Sequence, residues 1–272
     1  MTESSGWQLA NINGVEARER YTMAVLGNAW AQELVQLAAP AEGDRVLDVA
    51  CGTGVVARYA APLVGPTGSV TGLDLNAGML TVARTMPQRD GVAIVWREGD
   101  ATALPFPNAS FDLVCCREGL QYIPDRSAAL KEMHRVLRPG GRLALSVWRS
   151  IDHSPFHVAL SAALLHYVSA EAAANVRAPV SLGQAEELRG LITAAGFHTL
   201  CLRIRSRFAR YPSLGEYVLG FLAGTPMAGA VAALEASTRT AMVQQVCTAL
   251  REYVDDEGMA VPWEAHMVTA HA

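Results

Sequence analysis

From Asp44 onward, short β-branched apolar runs alternate with stretches whose apolar positions recur at helical spacing, the pattern of a parallel α/β sheet. Strands are expected at Arg45–Val49, Ser69–Asp74, Val92–Glu98, Phe111–Cys116 and Gly141–Val147. Helices fall between them, over Val55–Leu63, Ala77–Met86 and Ser127–Leu137. The last of these runs into Arg138-Pro139-Gly140-Gly141, which stops a helix and turns the chain tightly. Phe111–Cys116 is almost continuously apolar, as a strand buried on both faces should be. A helix over Gln184–Ala195 ends at Gly196; a sixth strand over Thr199–Phe208 and a seventh over Ala265–Ala270 follow. Helical stretches at residues 10–39, Pro155–Ala174 and Leu214–Tyr253 stand outside the alternation. The pattern is that of a single α/β domain, a seven-stranded, mostly parallel sheet with helices on both faces. Its core spans about 40–150, 184–210 and 262–272, and helical insertions at about 10–39, 151–183 and 212–258 form a lid at the ligand end.

Composition removes several classes of function. The 272 residues are 51% hydrophobic with a net charge of −4, enough for a core and too apolar for disorder. With 22 Lys and Arg against 26 Asp and Glu there is no basic excess to read phosphates, so no nucleic-acid partner is expected. No run approaches the ~20 apolar residues of a membrane span, and the polar start at Met1–Gln8 lacks the pattern of a signal peptide. Five cysteines without CxxC spacing fit reduced thiols in a cytoplasm.

Arg45-Val46-Leu47-Asp48-Val49-Ala50-Cys51-Gly52-Thr53-Gly54 runs from a strand through a glycine turn into a helix. Gly52 and Gly54 let the backbone bend and approach a ligand, and the helix start presents free N–H groups to it. In an open parallel sheet the crevice at the carboxyl ends of the strands is where ligands bind. Gly52-x-Gly54-x-x-Ala57 also fits the dinucleotide fingerprint, which keeps an NAD-dependent oxidoreductase as an alternative. Asp48 argues against it, since a carboxylate at the loop mouth repels a pyrophosphate and suits an ammonium. Asp74, at the end of the second strand, is placed to accept both hydroxyls of a ribose; its other reading is a helix N-cap, a role Asn76 can also fill. Asp100, after the third strand, can accept an adenine amine or serve only as a turn residue.

Together these segments resemble a class I S-adenosylmethionine (SAM) methyltransferase, in the branch of the ubiquinone/menaquinone C-methyltransferases. The matching motifs are Val46–Gly54, Gly72-Leu73-Asp74, Gly99–Pro107, Ser110–Val114 and Glu132–Gly141, and the resemblance is dense over residues 30–150. It departs at Ala50, where the broad family often has glycine. The resemblance implies a Rossmann-like fold and SAM as cofactor, with S-adenosylhomocysteine as product. It further implies that Asp48 orients the methionine ammonium, that Ala50, Gly52 and Gly54 line the cofactor, and that Asp74 holds the ribose. Leu75 and Met79 would lie beside the adenine, Asp100 and Ala101 at its edge, and Arg117 to Gln121 near the methionine part and the transferred methyl.

A sulfonium already activates the methyl, so alignment of the reactants is the protein's main task. Glu118 and His153 are the candidate bases, each at the ligand end of the sheet, and Tyr21 is a candidate to close over the cofactor. His153 and His157 are four apart, but Ser154-Pro155 starts a helix between them, so no metal pair is expected. Arg203, Arg205 and Arg207 alternate along the sixth strand and are read as protection of a sheet edge. Apolar side chains of the insertions (Phe156, Leu160, Leu164, Tyr167, Tyr217, Phe221, Met227) point to a hydrophobic or aromatic small-molecule acceptor. A SAM-binding protein that transfers no methyl group is the other alternative, and the C-terminal helical insertion is a candidate dimer element.

Overall fold

The computed structural model describes residues 12–88 and 90–272; Met1–Gln8 and the first positions of the residue 10–39 lead-in lie outside the described residues. In chain order the elements are α1 (Ile12–Ala17), a wide π-type run (Arg18–Gly27), α2 (Asn28–Ala38), β1 (Arg45–Val49), α3 (Val55–Ala60) and β2 (Ser69–Asp74). Then come α4 (Ala77–Thr85), β3 (Ile94–Glu98), β4 (Phe111–Arg117), α5 (Arg126–Val136), β5 (Leu137–Trp148), α6 (Pro155–Tyr167) and α7 (Ala170–Arg177). The chain ends with α8 (Ala185–Ala194), β6 (His198–Tyr211), α9 (Leu214–Ala223), α10 (Ala228–Ala232), α11 (Ala236–Ala249), β7 (Val254–Asp255) and β8 (Gly258–His271). The described chain divides into two compact units: residues 12–27, Trp148–Gly183 and Arg205–Ala265 form a helical unit, and Asn28–Val147, Gln184–Ile204 and His266–Ala272 a sheet unit.

The sheet runs β3-β2-β1-β4-β5-β8-β6, with β7 paired to β8. β3, β2, β1, β4 and β5 are parallel neighbours. Backbone bonds from Gly140 to Ala272 and from Arg149 to Glu264 make β8 antiparallel to β5. The order reverses at β1, which places the crevice between the ends of β1 and β4. Central strands bury Leu47, Val49, Leu113, Val114, Leu143 and Leu145, which is why their sequences are apolar on both faces. Asp112 at the start of β4 accepts from the Arg45 backbone N–H at 2.8 Å and its Nε at 2.9 Å, and pairs with Arg138. It pins the starts of three adjacent strands.

The mostly parallel α/β architecture follows the hydrophobic pattern, and the differences have local causes. β3 begins at Ile94 rather than Val92, because the Val92 N–H bonds Ala61 in a loop instead of joining the ladder. Pairing continues back to Leu137, opposite Phe111, so β5 starts as soon as α5 ends. The Pro155–Ala174 stretch is two helices, separated where Ser169 Oγ accepts the Ala172 N–H at 3.1 Å and caps α7. Leu214–Tyr253 is three helices and a 3₁₀ turn. The last strand is longer than Ala265–Ala270, because a hairpin puts Asp255 opposite Gly258 and adds an eighth strand.

Within the helical unit, α6 packs on α7 and α11, and α9 packs on the π-type run. Gly220 of α9 receives the Tyr21 ring, and Gly224 lies against the backbone of Arg18; a Cβ at either place would collide. β6, which carries Arg203, Arg205 and Arg207, ends the strand order.

Candidate active site

Asp48 is 1% exposed at the end of β1, and its Oδ2 accepts the Ala57 N–H at 3.0 Å. Ala57 lies in the first turn of α3, whose N–H groups have no partner inside the helix. The N-cap residue is Gly54, which has no side chain to cap with, so a carboxylate from the preceding strand does the capping. Burial pushes the Asp48 carboxyl up to about 7, and the Ala57 bond opposes that shift.

The glycine loop is shaped by two contacts. Gly52 (φ +56°) has open space where a Cβ would point, whereas a Cβ at Gly54 (φ +82°) would collide with the Trp96 ring. Gly72 sits between Asp48 and Trp96 in the strand register, and its missing side chain also admits the Trp96 ring, with Cys51 Sγ alongside. Asp74 at the end of β2 accepts the Gly52 N–H at 2.7 Å and the Asn76 N–H at 2.8 Å. Asn76, not Asp74, caps α4, accepting from Gly78 and Met79. Leu75, the next residue, is 52% exposed. Asp100 is exposed and accepts the Thr102 N–H at 2.8 Å, the geometry of its turn reading; Ala101 beside it is buried.

The loop after β4 closes the other side. Ala50 (φ +53°) and Glu118 (φ +51°) both hold left-handed backbone that side chains disfavour. A Cβ at Gly119 would meet the Ala50 Cβ at 2.6 Å, so glycine there lets the two loops approach. Glu118 is buried; its Oε1 accepts from Ser146 Oγ at 2.6 Å and its Oε2 from Gln121 Nε2 at 3.4 Å. With its amide nitrogen turned to Glu118, Gln121 keeps a buried Oε1 without a partner.

The family model of the methyltransferase domain matches residues 47–145, the glycine loop through β5. The chain is 33% identical over 180 residues to the ubiquinone/menaquinone biosynthesis C-methyltransferase UbiE of Saccharophagus degradans, covering 62% of this chain and 72% of that one. This chain belongs to the class I SAM-dependent methyltransferases. The enzyme of the same name from Chromobacterium violaceum is 41% identical over 136 residues, 48% of this chain and 55% of that one, so the chain spans about half of that relative. The Haemonchus contortus phosphoethanolamine N-methyltransferase 2 structure has the same fold, with a TM-score of 0.60, 19% identity, and coverage of 96% of this chain and 57% of that one.

The cofactor of this methyltransferase is SAM, and the residues at the glycine loop fit it. Gly52 leaves room over the loop, and the Asp74 carboxylate and the unpartnered Gln121 Oε1 offer hydrogen-bond acceptors of the kind that hydroxyls and an ammonium need. Asp48, Ala50, Gly52, Gly54, Asp74, Leu75, Met79, Asp100, Ala101, Arg117, Glu118 and Gln121 all belong to the sheet unit, at or just after the ends of β1 to β4.

Tyr21 and His153 belong to the helical unit. The Tyr21 ring lies 6.1 Å from that of Tyr211. His153 Nε2 is 2.8 Å from Arg149 and its Nδ1 is 3.8 Å from Glu264. A guanidinium only donates, so Nε2 accepts and the ring proton sits on Nδ1. His157 is buried, with Nδ1 2.6 Å from Ser154 Oγ, so the two histidines do not share a site. Among the described residues no group of three or more His, Cys, Asp or Glu is arranged to hold a metal. None of their helices is long and apolar enough to cross a membrane.

Sequence reasoning missed Trp96 and Ser146. A glycine inside a strand, as at Gly72, marks close approach of another group and was the available signal for Trp96. Ser146 carries no local signal, since its partner Glu118 is 28 residues away.

Proposed function

We propose that this methyltransferase acts on a small hydrophobic or aromatic acceptor by proximity and orientation. The observation that carries the reading is the apolar, aromatic interior of the helical unit, in which Phe156, Leu160, Leu164, Tyr217 and Phe221 are buried together with Met227. The naming of the matched relatives as quinone methyltransferases supports the same class of acceptor. When bound, the cofactor supplies a methyl group already activated by a sulfonium, which leaves alignment as the protein's task.

In this reading Asp74 holds the ribose hydroxyls, and Leu75 and Met79 cover the adenine with Asp100 and Ala101 at its edge. Asp48 and Gln121 accept from the methionine ammonium, with Ala50, Gly52, Gly54 and Arg117 lining that part. Glu118 acts through Gln121: both its oxygens are engaged, and its bond to Nε2 leaves the buried Oε1 free of protein partners. It is a positioning residue here rather than a base. The acceptor lone pair of His153 is occupied by Arg149, so a base role for His153 requires that bond to open. A reducing, cytoplasmic setting suits the five free cysteines.

The test is calorimetric titration with SAM, S-adenosylhomocysteine and NAD, then an assay of S-adenosylhomocysteine release with phenols, quinols and amines as acceptors. Selective binding of the SAM pair with release on phenols or quinols is the expected result. Release on charged amines alone would sink the acceptor class, and NAD binding would sink the cofactor site.

A further inference from the structure

The strand order ends with the neighbours β8 and β6, and each contributes a histidine at the same place. His198 is the first residue of β6 and His271 the last of β8. Their rings lie 6.3 Å apart, tilted by 37°. His198 is exposed and His271 half-buried, so both rings face water. Among the described residues neither ring takes part in a hydrogen bond or ion pair.

Two features hold the pair in place. β8 lies between β5 and β6, and its end is fixed to β5 by backbone bonds from Gly140 N–H to the Ala272 carbonyl and from Ala272 N–H to the Gly141 carbonyl, both 3.0 Å. Thr199, directly after His198, holds φ +49°, an outlier for a β-branched side chain. Such strain persists only where the surroundings impose it, and here it interrupts the extended backbone beside one of the two rings.

We infer that His198 and His271 form a binding site for a divalent transition-metal ion of the nickel, copper and zinc group. Imidazole nitrogen suits those ions, whereas magnesium and calcium demand oxygen ligands. An ion about 2 Å from a ring nitrogen lies roughly 3 Å from that ring's centre, so two rings on one ion have centres roughly 5–6 Å apart. A small turn of the exposed His198 side chain brings the observed separation into that range. No third His, Cys, Asp or Glu joins them among the described residues, so water completes the coordination and the ion exchanges freely. β6 has a strand neighbour on one side only, so an ion shared with β8 pins its start to the sheet. An ion that binds the folded chain and not the unfolded one stabilises the fold. The pair lies at the end of the sheet where β5 starts, opposite the carboxyl ends of β1 to β4 that carry the cofactor residues. The inference is therefore independent of the proposed reaction.

The experiment uses the full chain without a histidine tag and zinc(II) as probe. The variants are His198→Ala, His271→Ala and, as a control at an exposed histidine of α6, His166→Ala. Calorimetry reads the affinities for zinc and for S-adenosylhomocysteine, and thermal denaturation reads the melting temperature with and without zinc. One ion per chain is expected in the wild type. His198→Ala and His271→Ala should each weaken zinc binding at least tenfold, since even a partner behind a ligand is worth about 10–100-fold. Zinc should raise the melting temperature of the wild type and His166→Ala but not of the other two, and S-adenosylhomocysteine affinity should be the same in all four. No zinc binding, binding that survives both substitutions, or an equal loss in His166→Ala overturns the inference. If all four proteins bind zinc as expected and none binds S-adenosylhomocysteine, the cofactor reading fails and the metal site stands. Should His271→Ala not fold, NMR of the wild type decides: zinc should move the ring signals of His198 and His271, and unmoved signals from these two overturn the inference.

Discussion

The carboxylate of Asp74 receives the Gly52 N–H at 2.7 Å, tying the end of β2 to the turn that follows β1. The same side chain therefore shapes the glycine loop, and it is the group proposed to hold the ribose. Asp74→Ala should lower stability by about 1–2 kcal/mol, the cost of a charge-assisted hydrogen bond. It should weaken S-adenosylhomocysteine binding by at least about tenfold, with Asp74→Asn intermediate. Thermal denaturation and calorimetry read the two effects separately; unchanged cofactor affinity in the alanine variant would remove Asp74 from the site.

Asp48 makes stability depend on pH. Its folded carboxyl is raised to about 7 by burial, against 3.8 for a free aspartate. Between those values the unfolded chain has released a proton that the folded chain keeps, so stability falls as pH rises through this window and levels off above it. Asp48→Asn keeps an oxygen for the Ala57 N–H and removes the buried charge. It should flatten that slope and raise stability at pH 8 by up to about 4 kcal/mol. An ammonium beside Asp48 would expel the proton, so SAM binding near pH 6 should release protons in the wild type and not in Asp48→Asn, as calorimetry in buffers of different ionisation enthalpy would show.

Trp96 explains two glycines at once, and a double-mutant cycle can demonstrate it. Gly72 has ordinary strand backbone, so what resists a side chain there is steric, with the Trp96 ring nearest and Cys51 Sγ next. Gly72→Ala should cost about 2–3 kcal/mol in the wild type and much less with Trp96→Ala. Gly54→Ala should stay costly in both, because its φ of +82° also penalises a Cβ. Equal costs for Gly72→Ala in both backgrounds would separate Trp96 from the loop.

Ala50 holds left-handed backbone at φ +53°, a conformation that glycine adopts without penalty. Ala50→Gly should therefore raise stability by up to about 1 kcal/mol, read as an increase in melting temperature. Gly119→Ala should lower it, since the new methyl meets that of Ala50 at 2.6 Å. Combining the two substitutions should recover part of the loss. A fall in melting temperature for Ala50→Gly alone would contradict the strain.

Much of this molecule is written locally. Alternating apolar runs and helical periods determined β1 to β5, because a strand covered on both faces must be apolar whatever it packs against. The glycine turn, Asp48, Asp74 and the Asn76 cap were legible because loop backbone and helix ends impose residue types within a few positions. The Glu132–Gly141 motif shows the limit. Its glutamate accepts the Leu104 N–H at 2.8 Å, and its Arg135 donates to Leu104, Phe106 and Asn108, clamping a loop about thirty residues back in the chain. Tertiary structure alone decided that Asp48 caps α3, that Trp96 lies over Gly54 and Gly72, and that Glu118 turns Gln121 through a bond to Ser146. It alone brought His198 of β6 beside His271 of β8. Burial and hydrogen-bond partnership depend on which distant segments meet, and a periodic pattern specifies that a face is covered without specifying by what.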